Sequence, residues 1–295
     1  LALVLQFQNY AVLLVLMLLL GAGSALFDVA MNSDGNTLET QSRRKVMSGL
    51  HGMFSLGGMT GALVCAGMHR LAVPVGVQLV AVALVLAPVM LWAALRVTSH
   101  RLQADAVPPA FARPRGLLLW MGVLTTLGMV AEGAMYDWSA LFVRQELHTD
   151  EATGALAFAA FSAAMAGGRF VGDWVRGHFA PVALLRRSGA LAALGMALAL
   201  TAGAPWAALL GFMLVGLGLS NVVPVVFAAA GQVPGIPAAQ GVAAVSAVGY
   251  MGFMIGPPLI GVLAKATTLS AALWTVALFA VLMALAARSV LGRRG

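Results

Sequence analysis

The sequence predicts an all-α membrane protein. Of its 295 residues, 61% are hydrophobic and only 9% are charged, whereas soluble domains are nearer a quarter charged. Apolar runs of ~20 residues recur along the chain, and each is long enough to cross a bilayer as a helix. A soluble core cannot bury this much apolar surface, so lipid is expected to solvate most of it.

Nine full spans are expected, joined by short polar loops. An apolar stub at residues 1–8 precedes the polar break Gln8-Asn9-Tyr10 and is too short to cross. Glycines and prolines interrupt many spans, which lipid tolerates because small residues let helices approach closely. The expected spans are 11–31, 46–68, 71–95, 117–143, 152–175, 182–203, 205–230, 238–264 and 270–290.

The basic residues predict an orientation for these spans. If the loop 32–45 faces the cytoplasm, then of the 17 lysines and arginines only Arg70, Arg144 and Lys265 lie on the other side. Such a bias over short loops indicates a cytoplasmic C-terminus. The pI near 10.7 suggests nucleic-acid binding, but the basic residues are spread over several loops and form no single face. The lone Cys65 excludes an intramolecular disulfide.

A glycine pattern indicates an internal repeat. Four glycines in the first half recur 195 residues later, and both copies run in the same direction through the membrane; the pairs are Gly21 and Gly216, Gly23 and Gly218, Gly57 and Gly252, and Gly61 and Gly256. This spacing predicts a parallel repeat about an axis along the membrane normal. With the second half beginning near Gly116, the first half would begin roughly 80 residues before Leu1. We therefore expect an N-terminally truncated twelve-helix protein; the alternative is a protein of nine or ten spans.

Several stretches resemble a known family. The segment GRFVGDWVR at 168–176, with LLRRSG at 184–189, is similar to the second copy of the loop signature of the major facilitator superfamily. GYMGFMIGPPLIG at 249–261 resembles its eleventh helix. Three further stretches resemble poorly characterised bacterial inner-membrane permeases, which are distantly similar to fucose permeases. They are DVAMN at 28–32, MSGLHGMFSLGG at 47–58, and EG with DWS between 132 and 139.

The resemblance implies a fold and a mechanism. Two six-helix bundles would surround a central cavity that opens to each side in turn, with secondary transport that is often proton-coupled. Residues 1–99 would be the rest of the N-terminal bundle, from the end of helix 3 to helix 6. Residues 100–116 would be a cytoplasmic linker and 117–295 the C-terminal bundle. The phosphate-binding pattern G-x-x-x-x-G-K-[ST] does not occur, which argues against an ATP-driven pump.

Glu132 is the leading functional candidate, because a charge near the middle of a span costs ~2.5–3.5 kcal/mol on insertion scales. It could couple protons, bind a polar solute group, or form a structural hydrogen bond. Tyr136 shares its helix face at i+4. Asp137 and Trp138 lie further outward; Trp138 could stack on a solute or serve as packing or an interfacial anchor. Weaker cavity candidates are Asn221 and Tyr250.

Two further groups are expected near the cytoplasmic ends of helices. Asp28, Asn32, His51 and Ser55 form an inner-mouth polar cluster, interpreted either as a proton relay or gate or, preferably, as a packing network. For the loop signature, the resemblance implies that the carboxylate of Asp173 pins the loop to a neighbouring helix end in one conformation. We therefore assign Arg169, Gly172, Asp173 and Arg176 to a gating loop.

These observations favour a secondary transporter of a small solute, by proton-coupled uptake or by efflux of a drug or metabolite. An integral-membrane enzyme would need a clustered catalytic set, and the sequence offers none. A non-transporting receptor or sensor remains the alternative. We expect the bilayer, a small solute and protons as partners, with no nucleic acid, no cofactor and no metal, for a monomer in the bacterial inner membrane.

Overall fold

The computed structural model describes residue 7, residues 9–96 and residues 114–292, and within these ranges it consists of helices joined by turns and short loops. Most of the predicted linker at 100–116 and of the stub at 1–8 lies outside the described residues. Eleven helices are found in the described part of the chain. They are α1 Tyr10–Ser42, α2 Met47–Arg70, α3 Val75–Arg96, α4 Gly116–Gln145, α5 Glu151–His178, α6 Pro181–Thr201, α7 Pro205–Leu219, α8 Val222–Ala230, α9 Ala238–Gly249, α10 Met251–Ala266 and α11 Leu269–Leu291.

The prediction of nine spans is not matched exactly. Among the described residues, eight helical segments are long and apolar enough to cross a membrane, and α2 is not one of them. Although α2 has 24 residues, Ser48, His51, Ser55 and several glycines dilute its apolar run. The predicted spans 205–230 and 238–264 are each built from two helices, α7 with α8 and α9 with α10, which break at Asn221 and Tyr250.

The predicted loop 32–45 is wrong for most of its length, because α1 continues to Ser42. The extension carries a stripe of buried residues at helical spacing, namely Asn32, Gly35, Asn36 and Glu39. Residues at i, i+4 and i+7 share one helix face. This polar face is therefore packed against protein, and the connection to α2 shortens to residues 43–46.

The described chain divides into two compact units. One comprises Leu1–Ala30 and Leu56–Phe111, and the other Met31–Ser55 and Ala112–Gly295. The division falls inside α1 and α2, so the end of α1 and the start of α2 belong with the C-terminal helices. The predicted division into bundles at 1–99 and 117–295 stays a prediction.

Helix α4 lies at the centre of the larger unit and contacts α5 and α7 to α11. Its buried face, which includes Met135 and Phe142, belongs to one apolar cluster with large side chains of the neighbouring helices, including Phe161 of α5 and Phe212 of α7. Small residues bring the backbones close: a Cβ at Gly252 would lie 2.6 Å from the carbonyl oxygen of Thr126. The interior of this unit is thus a closely packed helical scaffold, on which polar side chains can be held in fixed positions.

The glycines of the predicted repeat have different surroundings in the two halves. Gly216, Gly218, Gly252 and Gly256 each lie against the backbone or side chains of a neighbouring helix. For Gly21, Gly23, Gly57 and Gly61, a built Cβ would meet no described atom within 4 Å. The second copy of the pattern therefore serves close helix packing within the larger unit.

Candidate functional site

Glu132 of α4 and Arg169 of α5 form a buried ion pair. The Nη2 atom of Arg169 lies 3.0 Å from Oε1 and 3.2 Å from Oε2 of Glu132. The side chains are only 8% and 6% exposed, respectively. Taking two charges out of water costs several kcal/mol for each ion, and only close pairing compensates for it. The structure thus supplies Glu132 with a cationic partner that the sequence analysis had placed elsewhere.

Tyr136 and Ser55 complete the surroundings of this pair. The Tyr136 hydroxyl lies 3.4 Å from Oε1 of Glu132 and donates to it. The Nη1 atom of Arg169 donates to the Ser55 hydroxyl of α2 at 2.8 Å. The Nε atom of Arg169 is buried and has no hydrogen-bond partner among the described residues. We call Glu132, Tyr136, Arg169 and Ser55 the buried pair cluster.

Asp173 of α5 binds the start of α2. Its Oδ1 accepts a hydrogen bond from the Ser48 N–H at 2.8 Å, and its Oδ2 accepts one from the Gly49 N–H at 2.7 Å. The first backbone N–H groups of a helix have no partner within it and attract anions. Asp173 therefore caps α2 from another helix, and its role in gating stays a prediction.

Glu39 of α1 supplies the other half of this cap. Its Oε1 accepts from the N–H groups of Val46 and Met47, both at 2.9 Å. Arg176 of α5 joins the two carboxylates, because its Nη1 lies 2.7 Å from Oε1 of Glu39 and 3.0 Å from Oδ1 of Asp173. We call Glu39, Asp173 and Arg176 the α2 cap cluster.

A neutral seam runs beside the α2 cap cluster. The Ser48 hydroxyl donates to Oδ1 of Asn221 at 2.8 Å, and Nδ2 of Asn221 donates to the Gly168 carbonyl at 3.1 Å. Nδ2 of Asn36 donates to the Phe227 carbonyl at 3.2 Å. Asn221, predicted to line a cavity, is thus a buried connector between α2, α5 and the α7–α8 break.

Gly172 lies where this seam is narrowest. A Cβ at Gly172 would overlap Oδ1 of Asn221 and lie 2.7 Å from Cβ of Ser48. The absence of a side chain at this position therefore allows α5, α2 and the break before α8 to approach one another. The prediction that Gly172 participates in gating stays a prediction, but the close approach gives it a physical basis.

His51 of α2 and Asn32 of α1 are in contact. The Nε2 atom of His51 lies 3.0 Å from Oδ1 of Asn32, and the ring contacts Phe227 edge-on at 6.0 Å between centroids. The Ser55 hydroxyl donates to the His51 carbonyl at 3.3 Å while accepting from Arg169. Ser55 therefore links the predicted polar stripe on α2 to the buried pair cluster. Asp28 belongs to the other compact unit and is half-buried there.

The remaining candidates are dispersed. Asp137 is exposed. Trp138 is half-buried and lies near Gly261, and its Nε1 is buried without a hydrogen-bond partner in the described part of the chain. Tyr250 sits at the α9–α10 break and is stacked with Phe253 at 6.5 Å. The structure does not gather these three residues with Glu132, and their proposed contact with solute stays a prediction.

Sequence reasoning missed Glu39, Asn36 and Ser48. Glu39 and Asn36 fell in a segment that was interpreted as a loop, although Asn32, Asn36 and Glu39 follow helical spacing. That periodicity could have revealed a continuing helix with a polar buried face. Ser48 carried no such signal, because its importance comes from contacts with Asn221 and Asp173, which are distant in sequence.

Comparison with known proteins places this arrangement in a family. The sequence model of the Major Facilitator Superfamily matches residues 1–239 of this chain. An uncharacterised MFS-type transporter of Yersinia pestis is 34% identical over 95% of this chain and 73% of its own length. The membrane protein MosC of Rhizobium meliloti is 36% identical over 97% of this chain and 70% of its own length.

Solved structures show the same fold. A variant of the Escherichia coli fucose:proton symporter FucP superposes with a TM-score of 0.76 at 19% identity, covering 98% of this chain and 80% of that chain. FucP in the outward conformation gives 0.70 at 19% identity, over 96% and 77%. On the family match and the two relatives, this chain belongs to the Major Facilitator Superfamily of membrane transporters.

Proposed function

We propose that this protein is a secondary active transporter that moves a small solute by alternating access, coupled to protons. The observation that carries the proposal is the α2 cap cluster. Asp173 and Arg176 of α5 hold the first turn of α2 and the end of α1 through hydrogen bonds and ion pairs. In a two-bundle transporter these contacts would join the N-terminal to the C-terminal bundle, and they can form and break without unfolding a helix.

Proton coupling is proposed for Glu132. A buried carboxylate that is held by Arg169 and Tyr136 can change its protonation state when water reaches it. The fold neighbour FucP is described as a fucose:proton symporter, which supports the same kind of coupling here. We place the protein as a monomer in the bacterial inner membrane with a cytoplasmic C-terminus, so that the α2 cap cluster would close the cytoplasmic side.

A flux assay tests the proposal. Purified protein is reconstituted into liposomes, and the uptake of labelled sugars, sugar acids and amino acids is measured with and without an imposed pH gradient. We expect uptake of at least one solute class that rises with an inwardly directed proton gradient, and we expect Glu132→Gln to remove that gradient dependence. Binding without flux would instead support a receptor or sensor. Solute exit in exchange for protons would support an efflux antiporter.

A further inference from the structure

We propose that the buried pair cluster is the binding site for the carboxylate of an anionic solute, which takes the place of Glu132 on Arg169 when Glu132 accepts a proton. The inference rests on the proposed transport function and adds a substrate class to it. It also makes a specific claim about stoichiometry, because one proton and one negative charge would enter the site together.

Charge balance links proton binding at Glu132 to anion binding at Arg169. Glu132 is the only carboxylate paired with Arg169 among the described residues. Protonating Glu132 alone would leave the guanidinium as an unpaired buried cation, and removing one partner of such a pair costs about 3–5 kcal/mol. An incoming carboxylate removes this cost, so proton binding and anion binding each favour the other by the same free energy.

Among the described residues, the hydrogen bonds of the buried pair cluster leave one donor of Arg169 unused. Both oxygens of Glu132 accept from Arg169, and Oε1 also accepts from Tyr136. On the guanidinium, Nε is buried and lacks a partner in the described part of the chain. A buried donor left without an acceptor costs free energy. The cluster therefore holds a buried donor that lacks an acceptor within the described ranges, which favours a solute group that accepts hydrogen bonds.

The geometry of the Arg169 guanidinium suits a second carboxylate. A guanidinium presents its N–H groups in a planar fork that matches a carboxylate at two points. In the present arrangement only Nη2 contacts Glu132, so the pairing does not use the Nε and Nη2 edge as a fork. A solute carboxylate on that edge would gain two parallel hydrogen bonds. Nη1 would keep its bond to Ser55, which fixes the orientation of the guanidinium.

Few other ionisable groups face this pair. Tyr136 contacts Glu132 from the same helix, and His51 on α2 is near enough to Arg169 to experience its charge. Helices α7, α8 and α9, which contact α4, carry no ionisable side chain.

The other helices that contact α4 add little charge. Tyr250 lies at the α9–α10 break, and α10 and α11 have only Lys265 and Arg288, each in its last turn. On α5, Asp173 and Arg176 lie one and two turns beyond Arg169 and pair with each other in the α2 cap cluster, while the other charges of this helix lie near its ends.

A binding experiment separates this inference from transport. The probes are acetate, L-lactate and D-gluconate, each with an uncharged counterpart: acetamide, L-lactamide and D-glucose. Protein in nanodiscs is mixed with each probe in weakly buffered solution, and both binding and proton uptake are measured. We expect at least one carboxylate to bind with uptake of about one proton per anion. Its uncharged counterpart should cause no proton uptake.

Variants assign the effect to the cluster. Glu132→Gln should keep carboxylate binding and lose proton uptake, because the neutral amide mimics the protonated acid. Arg169→Lys should weaken carboxylate binding by about tenfold, equivalent to about 1.4 kcal/mol, because an ammonium cannot form the planar fork. The control Lys265→Gln, which removes an exposed cation from α10, should leave both measurements unchanged.

Three outcomes would overturn the inference: none of the carboxylates binds, the uncharged counterparts cause equal proton uptake, or Glu132→Gln still takes up protons. Flux of an uncharged solute in liposomes, with no carboxylate binding in nanodiscs, would leave the proposed transporter intact and refute the anion site. Carboxylate binding with proton uptake but no flux would support the anion site and refute the proposed transport.

Discussion

Arg176 of α5 and Glu39 of α1 form a two-point ion pair, with Nη1 2.7 Å from Oε1 and Nη2 2.9 Å from Oε2. The side chains are only 5% and 2% exposed. Such parallel pairing is the strong form of an arginine–carboxylate contact. The same carboxylate also accepts from the first turn of α2, so the pair fixes the end of α1, the start of α2 and α5 with respect to one another.

Glu39→Gln should loosen this junction. The substitution removes the charge that Arg176 pairs with, and hydrogen bonds to charged groups contribute about 1.5–3 kcal/mol. We expect the buried Ser48 site to become at least roughly tenfold more accessible. The measurement is maleimide labelling of a Ser48→Cys variant in a Cys65→Ala background. Lys45→Gln is the matched control, because Lys45 is 3.7 Å from Glu39 and 42% exposed; an equal effect there would contradict the assignment.

Asp173→Asn should release the first turn of α2. An amide has a single acceptor oxygen and no charge, so it cannot hold the Ser48 and Gly49 N–H groups as the carboxylate does. Losing a helix cap costs about 0.5–2 kcal/mol. Hydrogen exchange of the Ser48 and Gly49 amides should accelerate accordingly. Asp150→Asn, which affects the cap of α5, should leave these two amides unchanged; acceleration in both variants would indicate general destabilisation.

The positions of the helices could be predicted from the sequence, because long apolar runs have few alternatives in a bilayer. The end of α1 could not, since its polar face at Asn32, Asn36 and Glu39 was interpreted as a solvated loop. Burial of that face depends on Arg176 and Phe227 from distant segments. Hydrophobicity alone does not show that contacts with distant residues will allow a polar helix face to be buried.

The ion-pair partner of Arg169 also could not be predicted from the spacing of residues in the sequence. Arg169 and Asp173 are at i and i+4, which suggested a common role in the loop signature. Helical side chains point toward the N-terminus of their helix, and the long arginine side chain reaches Glu132 and Ser55. Which of two carboxylates a buried arginine pairs with depends on helix packing, and the spacing of residues along the chain does not determine it.

The cap of α5 should depend on pH. Hydrogen bonding from Thr153 lowers the pKa of Asp150 below its ordinary value of 3.8. The cap therefore contributes its full stabilisation above the unfolded-state pKa and loses it as the pH falls through the lower folded-state pKa. Carboxyl ¹³C NMR should show Asp150 titrating below 3.8. Thr153→Ala removes the hydroxyl and keeps the backbone N–H that bonds Asp150, so it should move the titration part of the way upward; an unchanged midpoint would exclude the Thr153 hydroxyl as a cause.

Gly172→Ala should open the seam between α5 and α2. The added methyl group would overlap Oδ1 of Asn221 and crowd Ser48, and overpacking of this kind costs about 1–3 kcal/mol. We expect a lower thermal midpoint and faster labelling of the Ser48→Cys reporter.

Gly177 is the matched control on the same helix, because a Cβ there meets no described atom within 4 Å. Gly177→Ala should be neutral or stabilising by about 0.5–1 kcal/mol, since alanine favours a helix more than glycine does. Faster labelling with Gly172→Ala but not with Gly177→Ala would attribute the effect to the close approach, whereas equal behaviour of the two variants would show that the seam tolerates a methyl group.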